Sequence, residues 1–263
     1  MRRSGVAAGG VPAAGASHEP AAPVRRRRDA QATRERILKA AAVEFAQHGF
    51  AGARGDRIAQ RARSSERMVY YYFGSKDGLY RVVLEAAYAS LRDAESAVQL
   101  DPDDPAVALE QFCRFVWRYY ADHPGFISVL NTENLHRARH LRKSGRLAEL
   151  VGPVVGLLSR LLAQGQARGV FRADVDPVDL YVAIAGLGYF RLSNRHTLSA
   201  VLGRDMVEPA GLERYWTEAA RMVSGYLRAQ PAPSADTASP SLMMEAPQPA
   251  SGASQRARPS PPR

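Results

Sequence analysis

Between residues 31 and 230 apolar side chains recur every three or four positions, and no segment alternates with a period of two. That pattern predicts an all-α fold. In 31–48 the inward positions are Ile37, Leu38, Ala41, Ala42 and Phe45, with Thr33 as an N-cap and Gly49 as the stop. A short helix over 54–62 turns Ile58 and Ala59 inward. A tight turn at Arg63 and Ser64 leads into a second short helix, 65–72. Gly74, Ser75 and Lys76 interrupt, and Ser75 can cap a long helix reaching about Gln99. After a linker at 101–105, helices follow at about 105–122, 124–137, 144–168, 177–194 and 208–229, punctuated by Pro124, Gly145, Gly169 and Pro177.

The flanks have no such period. Residues 1–30 are rich in Ala, Gly, Pro and Arg, and 231–263 in Pro, Ser and Ala, so both read as disordered tails. The expected organisation is a basic tail (1–30), a three-helix N-terminal domain (31–78), a larger helical domain (79–230) and a C-terminal tail (231–263). Charge divides along the same lines. Residues 1–76 hold fifteen Lys and Arg against six Asp and Glu, while the rest is nearly balanced at twenty-one against twenty. A basic third beside a near-neutral remainder suggests a polyanion partner for that third, although a solvated tail would also contribute, Arg25 to Arg28 supplying four charges. The single cysteine, Cys113, allows no disulfide framework and reads as a small buried hydrophobe. No apolar run is long enough to span a bilayer, and the N-terminus lacks the apolar core of a signal peptide, so the expectation is a cytoplasmic protein with no membrane partner.

The 65–72 segment is poor core material, because Arg67 and three tyrosines cannot all be buried. Two short helices joined by a tight turn form a helix-turn-helix, in which the second helix enters the DNA major groove. Hydroxyls of Tyr70, Tyr71 and Tyr72 suit phosphate oxygens, and Arg67 suits a guanine edge.

The ordered set Ile58-Ala59-Gln60-Arg61-Ala62, Ser65, then Tyr70-Tyr71-Tyr72-Phe73-Gly74-Ser75-Lys76-Asp77-Gly78-Leu79 resembles the signature of TetR/AcrR-family regulators. Upstream, Ile37, Leu38, Ala41, Ala42, Phe45, Gly49 and Phe50 match the family's first helix and its exit. The resemblance implies that Tyr70, Tyr72 and Lys76 touch the DNA backbone, that Ser65, Glu66, Arg67 and Met68 form the base-reading face, and that contacts at Tyr71 vary. It also implies Phe45, Ile58, Ala59 and Phe73 as core. The chain departs from the family at the turn, where Arg63 replaces a usual Gly and Ser64 a usual apolar residue. Arg63 in the left-handed region would cost about 1–2 kcal/mol. Arg54 stands where a capping hydroxyl is usual, and could itself reach a phosphate. The run Arg25–Arg28 is a candidate minor-groove arm.

In the larger domain, 177–194 is apolar on more than one face: Val178, Tyr181, Val182, Ile184, Ala185, Leu187, Gly188 and Tyr189. The segment 208–229 has a broad stripe of Leu212, Trp216, Ala219, Met222, Val223 and Tyr226. By resemblance these two helices pair with a second copy as a homodimer. The candidate interface residues are Tyr181, Ile184, Leu187, Gly188, Trp216, Met222 and Tyr226, with Gly186 and Gly188 allowing close approach. Candidate lining for a pocket that takes an unknown small-molecule effector is Trp117, Tyr120, Phe126, Leu130, Asn134, Tyr189 and Phe190, a set equally suited to an ordinary core. Glu133, His136 and His140 would share one face of a continuous helix, as metal ligands do, but a solvated charged face is the simpler reading; no metal or cofactor is expected.

No phosphate loop, nucleophile elbow or framed carboxylate pair supports an enzyme. The expected function is a sequence-specific transcriptional regulator, a ligand-released repressor on a palindromic double-stranded DNA operator. An activator on the same fold and an architectural DNA-binding protein are the alternatives.

Overall fold

The computed structural model describes residues 22–228. Residues 1–21 of the N-terminal tail expected at 1–30, and all of the C-terminal tail expected at 231–263, lie outside the described residues. Among the described residues ten α-helices follow one another: α1 Ala22–Gly52, α2 Gly55–Arg61, α3 Glu66–Phe73, α4 Lys76–Ser96, α5 Pro105–Asp122, α6 Pro124–Leu135, α7 Leu147–Ala167, α8 Pro177–Ser193, α9 Arg195–Leu202 and α10 Pro209–Leu227. Among the described residues there is no strand, only an isolated bridge between Phe171 and Arg228.

Several helices start where the sequence supplies caps. Ser75 Oγ accepts the Gly78 amide (3.0 Å). Asp104 and Asp176 cap α5 and α8 with Pro105 and Pro177 in the first turn, where a missing N–H costs nothing. Two expectations are corrected at α1. The helix begins at Ala22, well inside the stretch read as disordered, because Pro23 suits a first turn and the Arg, Ala and Gln that follow are good helix formers. Thr33 therefore caps nothing; it lies mid-helix, its hydroxyl donating to the Asp29 carbonyl (2.8 Å). Gly49 does leave helical geometry (φ 64°, ψ −178°) and tilts the last turn.

Two apolar clusters organise the chain. One gathers Ile37, Ala41 and Phe45 of α1, Ile58 and Ala59 of α2, Val69 and Phe73 of α3, and Leu79, Tyr80, Val83 and Leu84 of α4. The other joins Leu91 of α4 to Phe112, Val116 and Trp117 of α5, Leu158 of α7, Leu180 and Ile184 of α8 and Trp216 of α10. Helix α4 thus contributes to both cores. The clusters also meet through α6, whose Val129 belongs to the first and whose Phe126 and Ile127 belong to the second. Cys113 is buried in the second cluster, and burial pushes its thiol up to about 12.

Helix α6 stops at Leu135, short of the expected 137. Arg137 and Ala138 both take positive φ (55° and 56°) and reverse the chain. A single 3-10 turn, Leu141–Lys143, follows. Helix α9 was not legible: it is a short amphipathic segment with no side-chain cap, ended by left-handed Gly203.

Candidate nucleic-acid interface and sensing domain

The turn between α2 and α3 is a tight helix C-terminus. The Arg63 amide donates to the Gln60 carbonyl (3.1 Å) and the Ser64 amide to that of Ala59 (2.9 Å). This closure requires a left-handed residue, and Arg63 takes it with φ 50°. Ser65 then caps α3, its Oγ accepting the Met68 amide (3.3 Å). Because Val69 and Phe73 lie one turn apart and are buried, the opposite face of α3 is fixed outward. Ser65, Glu66, Arg67, Tyr70 and Tyr71 are exposed, Tyr71 most of all at 76%, while Met68 and Tyr72 are half-buried against the core.

Buried Glu44 braces α2 from beneath. It accepts Arg57 Nε (2.6 Å) and the Arg54 amide (3.1 Å). Burial works to raise its carboxyl, but those bonds outweigh it and hold the group below the usual carboxylate range. Arg54 has no capping side-chain bond; its guanidinium grips Asp56 through two bonds (3.0 and 2.8 Å), an exposed pair. The Tyr70 hydroxyl lies against Glu66; burial and that carboxylate raise its pKa. At the start of α4, Lys76 Nζ donates to the Ala51 carbonyl (3.2 Å) and lies 5.0 Å from the centre of the Phe50 ring. Arg28 is exposed; the side chains of Arg25–Arg27 lie outside the described residues.

The polar segment after α6 forms a connection that residue spacing did not reveal. The reversal at Arg137 and Ala138 folds His140 back over Glu133, so the two do not share a helix face. Glu133 Oε1 accepts the amides of His140 (2.7 Å) and Leu141 (3.0 Å), and Oε2 accepts the His140 Nδ1–H (2.8 Å). Both residues are buried. The His140 ring packs on Phe50 and Tyr80, each with centroids 4.7 Å apart. Its Nε2 faces Arg139 (3.2 Å) and Asp77 of α4 (3.4 Å). His136 packs on the Phe50 ring (centroids 5.6 Å apart), 6.0 Å from the His140 ring, with its Nδ1 bonded to the Thr132 carbonyl (2.7 Å). The group of Glu133, His136 and His140 is thus spent on structure, and no cluster of potential metal ligands occurs among the described residues.

The expected effector pocket is largely core. Trp117 is fully buried and its indole N–H donates to the Ile184 carbonyl (2.8 Å). Tyr120 and Phe126 are buried, Leu130 is half-buried and Tyr189 bonds to Asn131. Asn134 is exposed on α6 beyond the core, and Phe190 is 59% exposed on the outer face of α8; neither lines an interior pocket. The larger opening is a cleft of about 880 Å³ between α1, α4 and the α5–α6 corner, with Ala42, Ala46, Ala87, Tyr119 and Phe126 among its walls and Lys39 and Arg195 at its edges. Of the expected lining only Phe126 reaches it. Further along α4, Arg92 Nη1 pairs with Glu95 (2.8 Å), the Arg92 guanidinium 5.9 Å from the centre of the Tyr181 ring, and burial lifts the Glu95 carboxyl to about 7 despite the arginine.

The interface expectation also needs correction. Ile184 points into the core, Gly188 takes the edge of the Trp117 indole, and Trp216 is buried beside α5. Tyr181 and Leu187 are half-buried. What faces outward is a row at four-residue spacing on α8, Val178, Val182, Gly186 and Phe190, beside Met222 and Tyr226 of α10. The i, i+4 recurrence of that row was legible, but α8 is apolar on both sides, so its period alone could not say which side is inner.

A basic helix-turn-helix on three helices, joined by one continuous helix to an all-α domain, defines a DNA-binding regulator rather than an enzyme. The comparisons agree: residues 37–83 match the family described as bacterial regulatory proteins, tetR family, and residues 105–223 match the tetracyclin repressor-like, C-terminal domain. The chain is 47% identical over 183 residues to the HTH-type transcriptional repressor NicS of Pseudomonas putida, covering 70% of this chain and 86% of that protein. It is 34% identical over 161 residues to the HTH-type transcriptional repressor SCO4008 of Streptomyces coelicolor, covering 61% and 78%. Among solved structures, a TetR transcriptional regulator from Chloroflexus aurantiacus shares the fold at a TM-score of 0.59 and 23% identity, over 77% of this chain and 100% of that one. The chain belongs to the TetR family of transcriptional regulators. No helix among the described residues is long and apolar enough to cross a membrane.

Proposed function

We propose that the protein is a ligand-released repressor that binds a palindromic operator as a homodimer in the cytoplasm. The observation that carries the reading is the outward face of α3, where Ser65, Glu66, Arg67, Tyr70 and Tyr71 are exposed while Val69 and Phe73 hold the helix down. In this reading Arg67, with Ser65, Glu66 and Met68 beside it, addresses base edges. Tyr70, Tyr71, Tyr72, Lys76 and Arg54 address the backbone, Arg54 by exchanging Asp56 for phosphate. Thr33, on the same domain, is a further backbone candidate through its hydroxyl. Repression is favoured by the names of the two relatives, both transcriptional repressors.

A dimer supplies the second reading helix one DNA turn away. The uncovered row of Val178, Val182, Phe190, Met222 and Tyr226 supports α8 and α10 as the interface, with Tyr181 and Leu187 at its margin. The cleft against α1 supports an effector that touches both domains; its volume lies in the ordinary range for small-molecule sites. An effector there lowers operator affinity by its preference for the conformation with wrongly spaced heads. Selection from random duplex DNA with purified protein tests the reading. A palindromic site, lost together with dimerisation in Phe190→Asp, is the expected outcome; enrichment for shape alone, or full affinity in a monomeric variant, would refute it.

A further inference from the structure

We propose that the recess between the end of α8, the α9–α10 connection and the first turns of α10 is a binding site for a small polyanion carrying phosphate or carboxylate oxygens. The recess has a volume of about 370 Å³, and Arg191, Arg204 and Arg214 converge on it. Arg191 is only 8% exposed. Its Nε donates to the Met206 carbonyl (2.8 Å), and its guanidinium lies 4.9 Å from the centre of the Tyr215 ring. Among the described residues none of the three arginines is ion-paired, although three acids share the walls. Each acid is already engaged. Glu218 holds Arg221 (2.6 Å), Asp205 accepts the Val207 amide (2.9 Å), and Glu208 caps α10 through the amides of Ala210 (2.9 Å) and Gly211 (2.6 Å).

A buried guanidinium without a counter-anion in contact is costly, although Asp205, Glu208 and Glu218 on the same walls offset part of the summed charge. Burial, followed by the field of Arg204, lowers the pKa of Arg191 even though Asp205 opposes the shift. The Arg191 and Arg214 guanidiniums approach the same stretch of α10: each puts an Nη2 3.6 Å from where a Cβ on Gly211 would stand, with Glu208 Oε2 3.0 Å from that position. An oxyanion in the recess beyond Gly211 would accept from both guanidiniums, with Arg204 on the same wall, and would satisfy donors that the chain itself leaves without a carboxylate. Several guanidiniums suit an ion that presents oxygens on more than one side.

Inorganic phosphate and citrate, titrated by calorimetry into the full chain at constant ionic strength, test the proposal without DNA. Saturable uptake of one ion per chain is expected, with citrate binding more tightly. Arg204 and Arg214 are exposed, so Arg204→Ala with Arg214→Ala should fold like the parent and bind at least tenfold more weakly. Gly211→Ala should weaken binding by setting a methyl against the Arg191 and Arg214 guanidiniums and narrowing the recess. Arg67→Ala with Lys76→Ala, in the reading domain, should leave the uptake unchanged. Unsaturable binding, equal affinity in the arginine variants, or loss in the reading-domain variants would overturn the proposal. So would a weaker dimer in Arg204→Ala with Arg214→Ala when the parent takes up no phosphate, because a carboxylate of the second copy would then be the occupant.

Discussion

Replacing Glu133 should loosen the junction between the reading and sensing domains. The side chain is 2% exposed and makes three bonds, to the His140 and Leu141 amides and to the His140 ring. It also holds closed a reversal in which Arg137 and Ala138 stand in the left-handed region, each at a cost of about 1–2 kcal/mol. In Glu133→Ala two amides and an imidazole N–H lose their acceptor. Each orphaned donor costs about 1–3 kcal/mol, with partial recovery as water enters, so the sum is about 3–5 kcal/mol. Glu133→Gln keeps an acceptor for the amides but gives up the charge, which roughly halves each bond and costs about 1–3 kcal/mol in all. Urea unfolding followed by circular dichroism measures both losses, and the glutamine variant remains measurable if the alanine variant fails to fold. Amide exchange at His140 and Leu141 should accelerate in both variants more than exchange in α7 does. Operator affinity should fall as well, because His140 packs on Phe50 and Tyr80 and faces Asp77, the residue next to Lys76. The reasoning fails if alanine and glutamine cost the same, or if exchange at the two amides is unchanged.

Arg63→Gly should stabilise the protein by about 1 kcal/mol in the same unfolding assay, since glycine takes the φ of 50° without the side-chain clash. Gly188→Ala should destabilise by about 1–3 kcal/mol, because the new methyl meets the Trp117 indole and displaces it from the Ile184 carbonyl. The raised Glu95 carboxyl sets a pH dependence. Between the ordinary 4.5 and about 7 the folded state holds a proton that the unfolded chain has released, so stability falls as pH rises through that window and levels off above it. Chemical unfolding at a series of pH values should show this slope, and Glu95→Gln should lack it.

The elements were legible where capping chemistry and period coincide. Ser75, Asp104-Pro105 and Asp176-Pro177 start helices that the structure begins within a residue or two of the expected positions. The strained Arg63 was legible too, through the resemblance: the family usually places Gly at that turn position, and the structure has Arg63 there at φ 50°. The reversal at Arg137 and Ala138 was not, since neither residue favours a left-handed backbone and the cause is a carboxylate that only the fold brings near. Placing Ile184 and Gly188 at a dimer face failed for a different reason. On a helix apolar all round, spacing gives the period without its phase, and only Trp117 across the core shows which side is inner. Arg92 with Glu95 and Arg191 with Tyr215 went unread because buried charges in a sequence look like solvated ones.

Helix α4 serves both cores, with Leu79 to Leu84 in one and Leu91 in the other, and no linker interrupts it. Exchanging the DNA-reading domain for that of a relative therefore means cutting inside a helix. Each residue advances an α-helix by about 100°, so a graft one residue too long or too short would turn Lys76 and the whole reading face by that angle relative to Leu91. Donor and acceptor must be joined in matching helical phase, and a chimera's specificity would depend on that count before it depended on any base contact.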